Sequence, residues 1–287
     1  MTVSLVAKTW ALVRLIRPKQ WVKNVFVLAP LVFARQFADL GQVRESLLAF
    51  ALFCVASSAC YILNDLHDVA RDRRHSFKRW SRPIAAGTVA PSEAYILLGT
   101  LLAIVAAALA VKLELALVVV AYVLLNAAYT FILKYQPVID IFAIATGFVL
   151  RVLAGSVALD VPLSGWMMIT TLCLALYLAA IKRRQELALS GSEGREVLVN
   201  YSVPLMDRYA EIAATGALVF YSLFVMSANH RLTMTIPLVI FGLFRYWYVV
   251  DRQEGGESPT DVLLYDWPML AVVAAWVGIC GWVLSTS

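Results

Sequence analysis

Charge is scarce in this sequence. Only 15% of its 287 residues are Asp, Glu, Lys or Arg, whereas soluble domains carry nearer a quarter. That shortfall excludes an ordinary soluble globular domain. Histidine is scarcer, at three residues, and His67 and His75 have no spacing that would make a metal site. No imidazole therefore stands out as a general base. The four cysteines, Cys54, Cys60, Cys173 and Cys280, all fall in apolar runs and none forms a C-x-x-C pair. They read as buried thiols, neither disulfides nor metal ligands. Short internal repeats and low-complexity segments are also lacking.

Apolar residues fill the space. They make up 61% of the chain, and the mean hydropathy is +0.77. Eight clear runs lie near 46–63, 93–111, 115–133, 139–159, 163–181, 210–229, 232–250 and 267–285. Each approaches the roughly twenty residues that cross a bilayer as a helix. A ninth, Val25–Ala34, reaches spanning length only if its helix starts near Pro18, where proline is tolerated in a first turn. The expected fold is all-α, a single integral membrane domain over 1–287 with about nine transmembrane helices. Its first run is preceded by about twenty mixed residues and lacks a small-residue cleavage site, so no cleavable signal is expected. Residues 1–17 open a basic amphipathic segment suited to an anionic leaflet.

The net charge of +5 does not point to nucleic acid, because Lys and Arg in such a chain mostly record orientation. With the N-terminus in the cytoplasm, nearly all basic residues fall on that side, and only Arg35, Arg44, Lys112 and Arg231 lie opposite. The three longer polar connections, 64–92, 182–209 and 251–266, then share the cytoplasmic face and form a cap. A transporter would more naturally carry polar residues on both sides or broken helices at mid-membrane. A one-sided site suits an enzyme that takes an anionic substrate from the cytoplasm and a lipid from the bilayer.

The first connection opens with Asn64-Asp-Leu-His-Asp-Val-Ala-Arg-Asp72. Asp65, Asp68 and Asp72 are spaced to share one helix face, with Asn64 flanking it. Three such carboxylates repel one another unless a cation sits among them. Magnesium takes oxygen ligands and is often shared with substrate phosphates, so the cluster reads as a Mg²⁺–diphosphate site. The plainer reading is a solvated helix end, its acids paired with Arg71, Arg73 and Arg74.

Basic clusters stand in the same region of the expected topology. Lys19 and Lys23 lie four apart, Arg82 opens Arg-Pro-Ile-Ala-Ala-Gly87, and Lys182-Arg-Arg-Gln-Glu186 continues the sixth apolar run out of the membrane. Each can bind phosphate, and each can equally be anchoring charge with snorkelling side chains. Arg151 differs, because it lies inside an apolar run. An intramembrane guanidinium is costly and faces a partner or a wet cavity. Asp140 on the same helix is about 16 Å away by the helical rise, too far to pair. Arg151 should meet another helix or an anionic head group.

These stretches carry a resemblance. Asn64–Asp72 together with Arg82–Gly87 resembles the UbiA superfamily of intramembrane prenyltransferases. Adding Arg17–Asn24, Gly147–Arg151, Lys182–Glu186 and Ser258–Leu264 makes the match similar to the branch that acts on decaprenyl phosphate as phosphoribosyltransferases. The resemblance runs over nearly the whole chain. It implies Mg²⁺ as cofactor, 5-phosphoribosyl 1-diphosphate as donor, a polyprenyl (decaprenyl) phosphate as acceptor, a bacterial plasma-membrane location and a place in cell-wall arabinan synthesis. Trimers are known in the family, which implies a homo-oligomer.

On this reading Asp65, Asp68 and Asp72 are catalytic and hold the metal with Asn64. Lys19, Lys23, Asn24, Arg82, Tyr177, Lys182, Arg183 and Glu186 serve the donor phosphates, Arg151 the lipid phosphate, and Asp261 and Asp266 complete the cap. Relatives that use aromatic acceptors carry a second Asp-rich motif where this chain has Lys182-Arg183-Arg184-Gln185-Glu186. The mostly basic motif fits a donor with an extra 5-phosphate. Two other readings stand beside it: prenyl transfer to an aromatic acceptor, and a non-catalytic transporter or lipid carrier.

Overall fold

The computed structural model describes residues 5–74, 78–110, 112–190, 196–252 and 265–286. Their regular structure is all helical, with no strand among them. In chain order the α-helices are α1 (Leu5–Ile16), α2 (Ala29–Phe33), α3 (Leu40–Arg74), α4 (Lys78–Ser81), α5 (Pro91–Ala107), α6 (Leu113–Phe131), α7 (Ile139–Ala158), α8 (Gly165–Ser190), α9 (Val203–Ala228), α10 (Ile236–Arg252) and α11 (Trp267–Ser285). Among the described residues, seven helices are long and apolar enough to cross a bilayer. The shorter apolar α5 and the segment 18–33 are the remaining two of the expected nine. That segment is not one α-helix. Pro18–Leu28 winds as a 3₁₀ helix and passes into α2, with Pro30 in its first turn.

Backbone polar groups have no water to bond in lipid, so helices are the natural solution for these apolar runs. Their outward faces keep large apolar side chains, among them Ile96, Leu117, Leu124, Phe244 and Trp282. In a soluble protein such a surface would be a liability; here it meets acyl chains. Proline and polar caps set the helix starts. Ser202 accepts from the Leu205 amide and Asp266 from the Met269 amide, ahead of α9 and α11.

The core falls into packed groups. Phe53, Val119, Tyr122 and Ala154 join α3, α6 and α7. Tyr177, Ala180, Ala210 and Tyr246 join α8, α9 and α10. Val152, Tyr221, Phe224 and Val283 join α7, α9 and α11 towards the other end. Gly155 lets the 3₁₀ helix press on α7: a Cβ there would lie 1.9 Å from the Val27 carbonyl oxygen. This contact places Asn24 deep in the bundle, fully buried.

The helix α3 has 35 residues, about 52 Å at the usual rise. A hydrocarbon core is about 30 Å thick, so the C-terminal turns that carry the three aspartates project beyond it. The basic amphipathic segment forms α1, which packs Ala11 and Leu15 against α3 and α5 and leaves Trp10 exposed.

Candidate active site

Asp65, Asp68 and Asp72 share one face of α3 and are all buried, at 2%, 8% and 4% exposure. This excludes the solvated helix end. Asp65 Oδ1 accepts from both Arg17 Nη2 and Arg82 Nη1 in very close contacts. Its Oδ2 is buried without a hydrogen-bond partner. Asp68 Oδ1 accepts from Lys134 Nζ at 2.7 Å, and Oδ2 pairs with Arg71 at 2.8 Å. Asn64 stands half-buried beside them.

Local sequence explains how the cations arrive. Pro18 forbids α1 from running on, and Arg17 takes the left-handed conformation at the joint, with φ 54°. Ser58 on α3 donates to the Ile16 carbonyl at 2.9 Å and accepts from Trp21 Nε1 at 3.1 Å, pinning that joint. The Arg17 guanidinium lies over the Tyr61 ring, 4.8 Å from its centroid. Arg82 leads a tight turn that closes at Gly87, whose φ of +73° suits glycine. Ala86 and Thr88 donate back to the Arg82 and Pro83 carbonyls. Ile84 and Val89 anchor the turn in the α1–α3–α5 core. The Arg82 loop thus folds back over the acids. Lys134 comes from a single 3₁₀ turn, Leu133–Tyr135, and is itself buried.

Among the described residues, no three carboxylate, histidine or cysteine side chains converge on a point where a metal would sit. Asp65 Oδ1 and both Asp68 oxygens face cations instead. The residues nevertheless fit a divalent ion: the donors are oxygens, they share a face, and Asp65 Oδ2 is an orphaned buried acceptor.

A second centre surrounds Arg151, which is 4% exposed. Its Nε donates to Asn24 Oδ1 at 2.8 Å, Nη1 to the Gly147 carbonyl at 2.8 Å and Nη2 to Tyr122 Oη at 2.9 Å. The rings of Tyr122, Phe148 and Phe53 surround it, their centroids 4.7, 5.1 and 5.9 Å from its guanidinium carbon. All these partners are neutral. Asn24 is fixed in turn by Ser57 Oγ at 3.2 Å.

Residues 25–265 match the UbiA prenyltransferase family. The chain belongs to that family. It is 35% identical to the decaprenyl-phosphate phosphoribosyltransferase of Mycolicibacterium smegmatis, over 94% of this chain and 91% of that one. It is 34% identical to the enzyme of the same name from Corynebacterium glutamicum, over 93% and 84%. A UbiA homolog from Archaeoglobus fulgidus, solved with GPP and Mg²⁺, has the same fold with a TM-score of 0.72 at 19% identity, covering 96% of this chain and 99% of that one. This UbiA family member is accordingly a multi-pass membrane protein.

The remaining expected site residues of this UbiA member are placed less centrally. Arg183 is buried and bonded on all three nitrogens: Nε to Asp140 Oδ2 at 2.7 Å, Nη1 to Glu186 Oε2 at 2.7 Å and Nη2 to Tyr129 Oη at 3.0 Å. Tyr177 donates to the Leu243 carbonyl at 2.8 Å within the α8–α10 core. Lys19 is exposed beside Tyr265, 3.4 Å from its hydroxyl. Lys23 and Lys182 are half-buried. Asp266 caps α11 and takes Arg245 at 3.0 and 2.9 Å. That guanidinium holds its carboxyl below the usual carboxylate range. Asp261 lies outside the described residues.

Several participants carried no decisive signal in the sequence. Arg17 sat in a noted stretch without a role, and Lys134 read as an orientation charge. Tyr122 looked like any core aromatic. Tyr201, whose hydroxyl donates to Asp140 Oδ1 at 2.6 Å and accepts from the Val138 amide at 2.6 Å, stood in the 182–209 connection without a role of its own.

Proposed function

We propose that this UbiA member transfers 5-phosphoribose from 5-phosphoribosyl 1-diphosphate to a polyprenyl phosphate of the decaprenyl type, releasing diphosphate. The observation that carries the reading is a pair of distinct cationic centres. One mixes carboxylates with cations, around Asp65 and Asp68. The other, at Arg151, is a buried cation whose bonded partners are all neutral. A buried guanidinium favours an anion strongly when no carboxylate already neutralises it. The phosphoribosyltransferase relatives support the choice of substrates.

Asp65, Asp68 and Asp72, with Asn64 beside them, are the residues proposed to hold Mg²⁺, which when bound supplies charge compensation for the departing diphosphate. Arg17, Arg82 and Lys134 stand where they can donate to the same phosphates. Lys19, Lys23 and Lys182 are the cations proposed for the 5-phosphate. Arg183, held between two carboxylates, fixes the wall that carries Lys182. Arg151 orients the lipid phosphate, which attacks the ribose C1 through an oxocarbenium-like state. The attacking phosphate is largely ionised near neutral pH, so no base is required of the chain. The Arg82–Val89 turn covers the acids and restricts water, limiting hydrolysis of the donor.

We place the site on the cytoplasmic side of a bacterial plasma membrane, with residues 1–287 as one domain and the product directed to arabinan synthesis. Purified chain given labelled 5-phosphoribosyl 1-diphosphate, decaprenyl phosphate and Mg²⁺ should move label into the lipid phase. Label that stays wholly in water would overturn the proposal.

A further inference from the structure

Three of the carboxylate oxygens a metal would take are already in use. Both Arg17 and Arg82 bond Asp65 Oδ1, Lys134 bonds Asp68 Oδ1 and Arg71 bonds Asp68 Oδ2. Only Asp65 Oδ2 is both buried and without a partner. Lys78 acts on Asp72 as well, so Asp65, Asp68 and Asp72 face Arg17, Arg71, Lys78, Arg82 and Lys134, three negative groups against five positive ones. A bare divalent cation entering this cluster would raise an existing positive excess, in surroundings where charge is poorly screened. A metal–diphosphate complex is anionic near neutral pH and would lower it. Four of the five cations come from other elements than α3: the joint after α1, α4, the turn opened by Arg82, and the Leu133–Tyr135 turn. Guanidinium and ammonium groups are also the usual phosphate donors.

We propose that Arg17, Arg82 and Lys134 hold the metal-binding carboxylates closed against a bare divalent ion and pass to phosphate oxygens when the ion arrives with a diphosphate. The chain then binds metal and diphosphate as one unit. This rests on the metal–diphosphate reading above and adds the condition for entry. Lys134 is the sharpest handle, because it is buried, bonds Asp68 alone among the carboxylates and sits on a separate turn.

The test is Mn²⁺ binding to the full chain in detergent, followed by electron paramagnetic resonance. Lys134→Met should bind Mn²⁺ alone about tenfold more tightly than the wild type, since one opposing charge is gone. Lys134→Arg should restore the wild-type affinity. Equal or weaker Mn²⁺ binding by Lys134→Met would overturn the proposal. Thermal unfolding of the wild-type chain gives a second test that needs no variant. Mn²⁺ and pyrophosphate together should raise the melting temperature, and Mn²⁺ alone should not. Stabilisation by Mn²⁺ alone, as large as by the pair, would refute the closed carboxylates and leave the metal–diphosphate reading standing. No stabilisation by the pair would refute both.

Discussion

Arg151 shows how one residue can be both costly and useful. A guanidinium within the apolar part of a span must bring its own solvation. Asn24, Gly147 and Tyr122 supply it, and the aromatic rings add cation–π contact. Because none of these partners is charged, the cation keeps its attraction for an anion. Arg151→Met should raise the KM for polyprenyl phosphate about tenfold or more and leave the donor KM nearly unchanged, a split that steady-state kinetics reads directly. An equal rise in both would place Arg151 in general packing. Asp68 is the complementary case. Asp68→Asn keeps an acceptor for Lys134 while removing the charge. It should cut turnover about a hundredfold or more, as electrostatic catalytic groups do, with the far-ultraviolet circular dichroism preserved. Unchanged turnover would make Asp68 only a partner for Lys134 and Arg71.

At the scale of elements, two close contacts deliver these side chains. The first is the 3₁₀ helix on α7. Its Val27 carbonyl lies where a Gly155 Cβ would be, so Gly155→Ala must push the segment that carries Asn24. A loss of about 1–3 kcal/mol in stability is expected from such overpacking, read by denaturant unfolding in detergent, together with a weaker hold on lipid phosphate. The second is the turn between α6 and α7. Val138 adopts φ 68°, a strained conformation for a β-branched residue. The Tyr201 hydroxyl ties its amide to Asp140, which pairs with Arg183. Tyr201→Phe would leave a buried carboxylate oxygen and the Val138 amide short of a partner, at a cost of about 1–3 kcal/mol. Unfolding at wild-type stability would show that the turn holds without the latch.

Across the whole molecule, the apolar runs were readable because a bilayer imposes a length and a composition on each span. The runs at 115–133, 139–159 and 267–285 return as α6, α7 and α11 within a residue or two. The segment 18–33 was less legible, because its short apolar stretch winds as a 3₁₀ helix that depends on the gap at Gly155. The shared face of Asp65, Asp68 and Asp72 was also readable, since helical spacing is local. Their partners were not. Arg17 is 48 residues from Asp65 and Lys134 is 66 from Asp68, and no local pattern encodes a pairing over that range. For Arg183 only Glu186, three residues on, was a local partner; Asp140 and Tyr129 lie 43 and 54 residues away.

The proposed orientation puts the polar connections on one side. Cysteines introduced at the exposed positions Arg74, Leu189 and Tyr265 of a cysteine-free variant should resist an impermeant thiol reagent in intact cells. One at Arg44, on the opposite side, should react. Labelling at any of the first three would break the one-sided site.

Substrate choice is the most direct test of the function. One incubation would offer the purified chain both 5-phosphoribosyl 1-diphosphate and a prenyl diphosphate, with both decaprenyl phosphate and 4-hydroxybenzoate as acceptors. Mass spectrometry would resolve the products. The expected product is decaprenyl phosphate bearing a 5-phosphoribosyl group, with no prenylated aromatic acid. Prenylated 4-hydroxybenzoate with 5-phosphoribosyl 1-diphosphate left unconsumed would contradict the assignment.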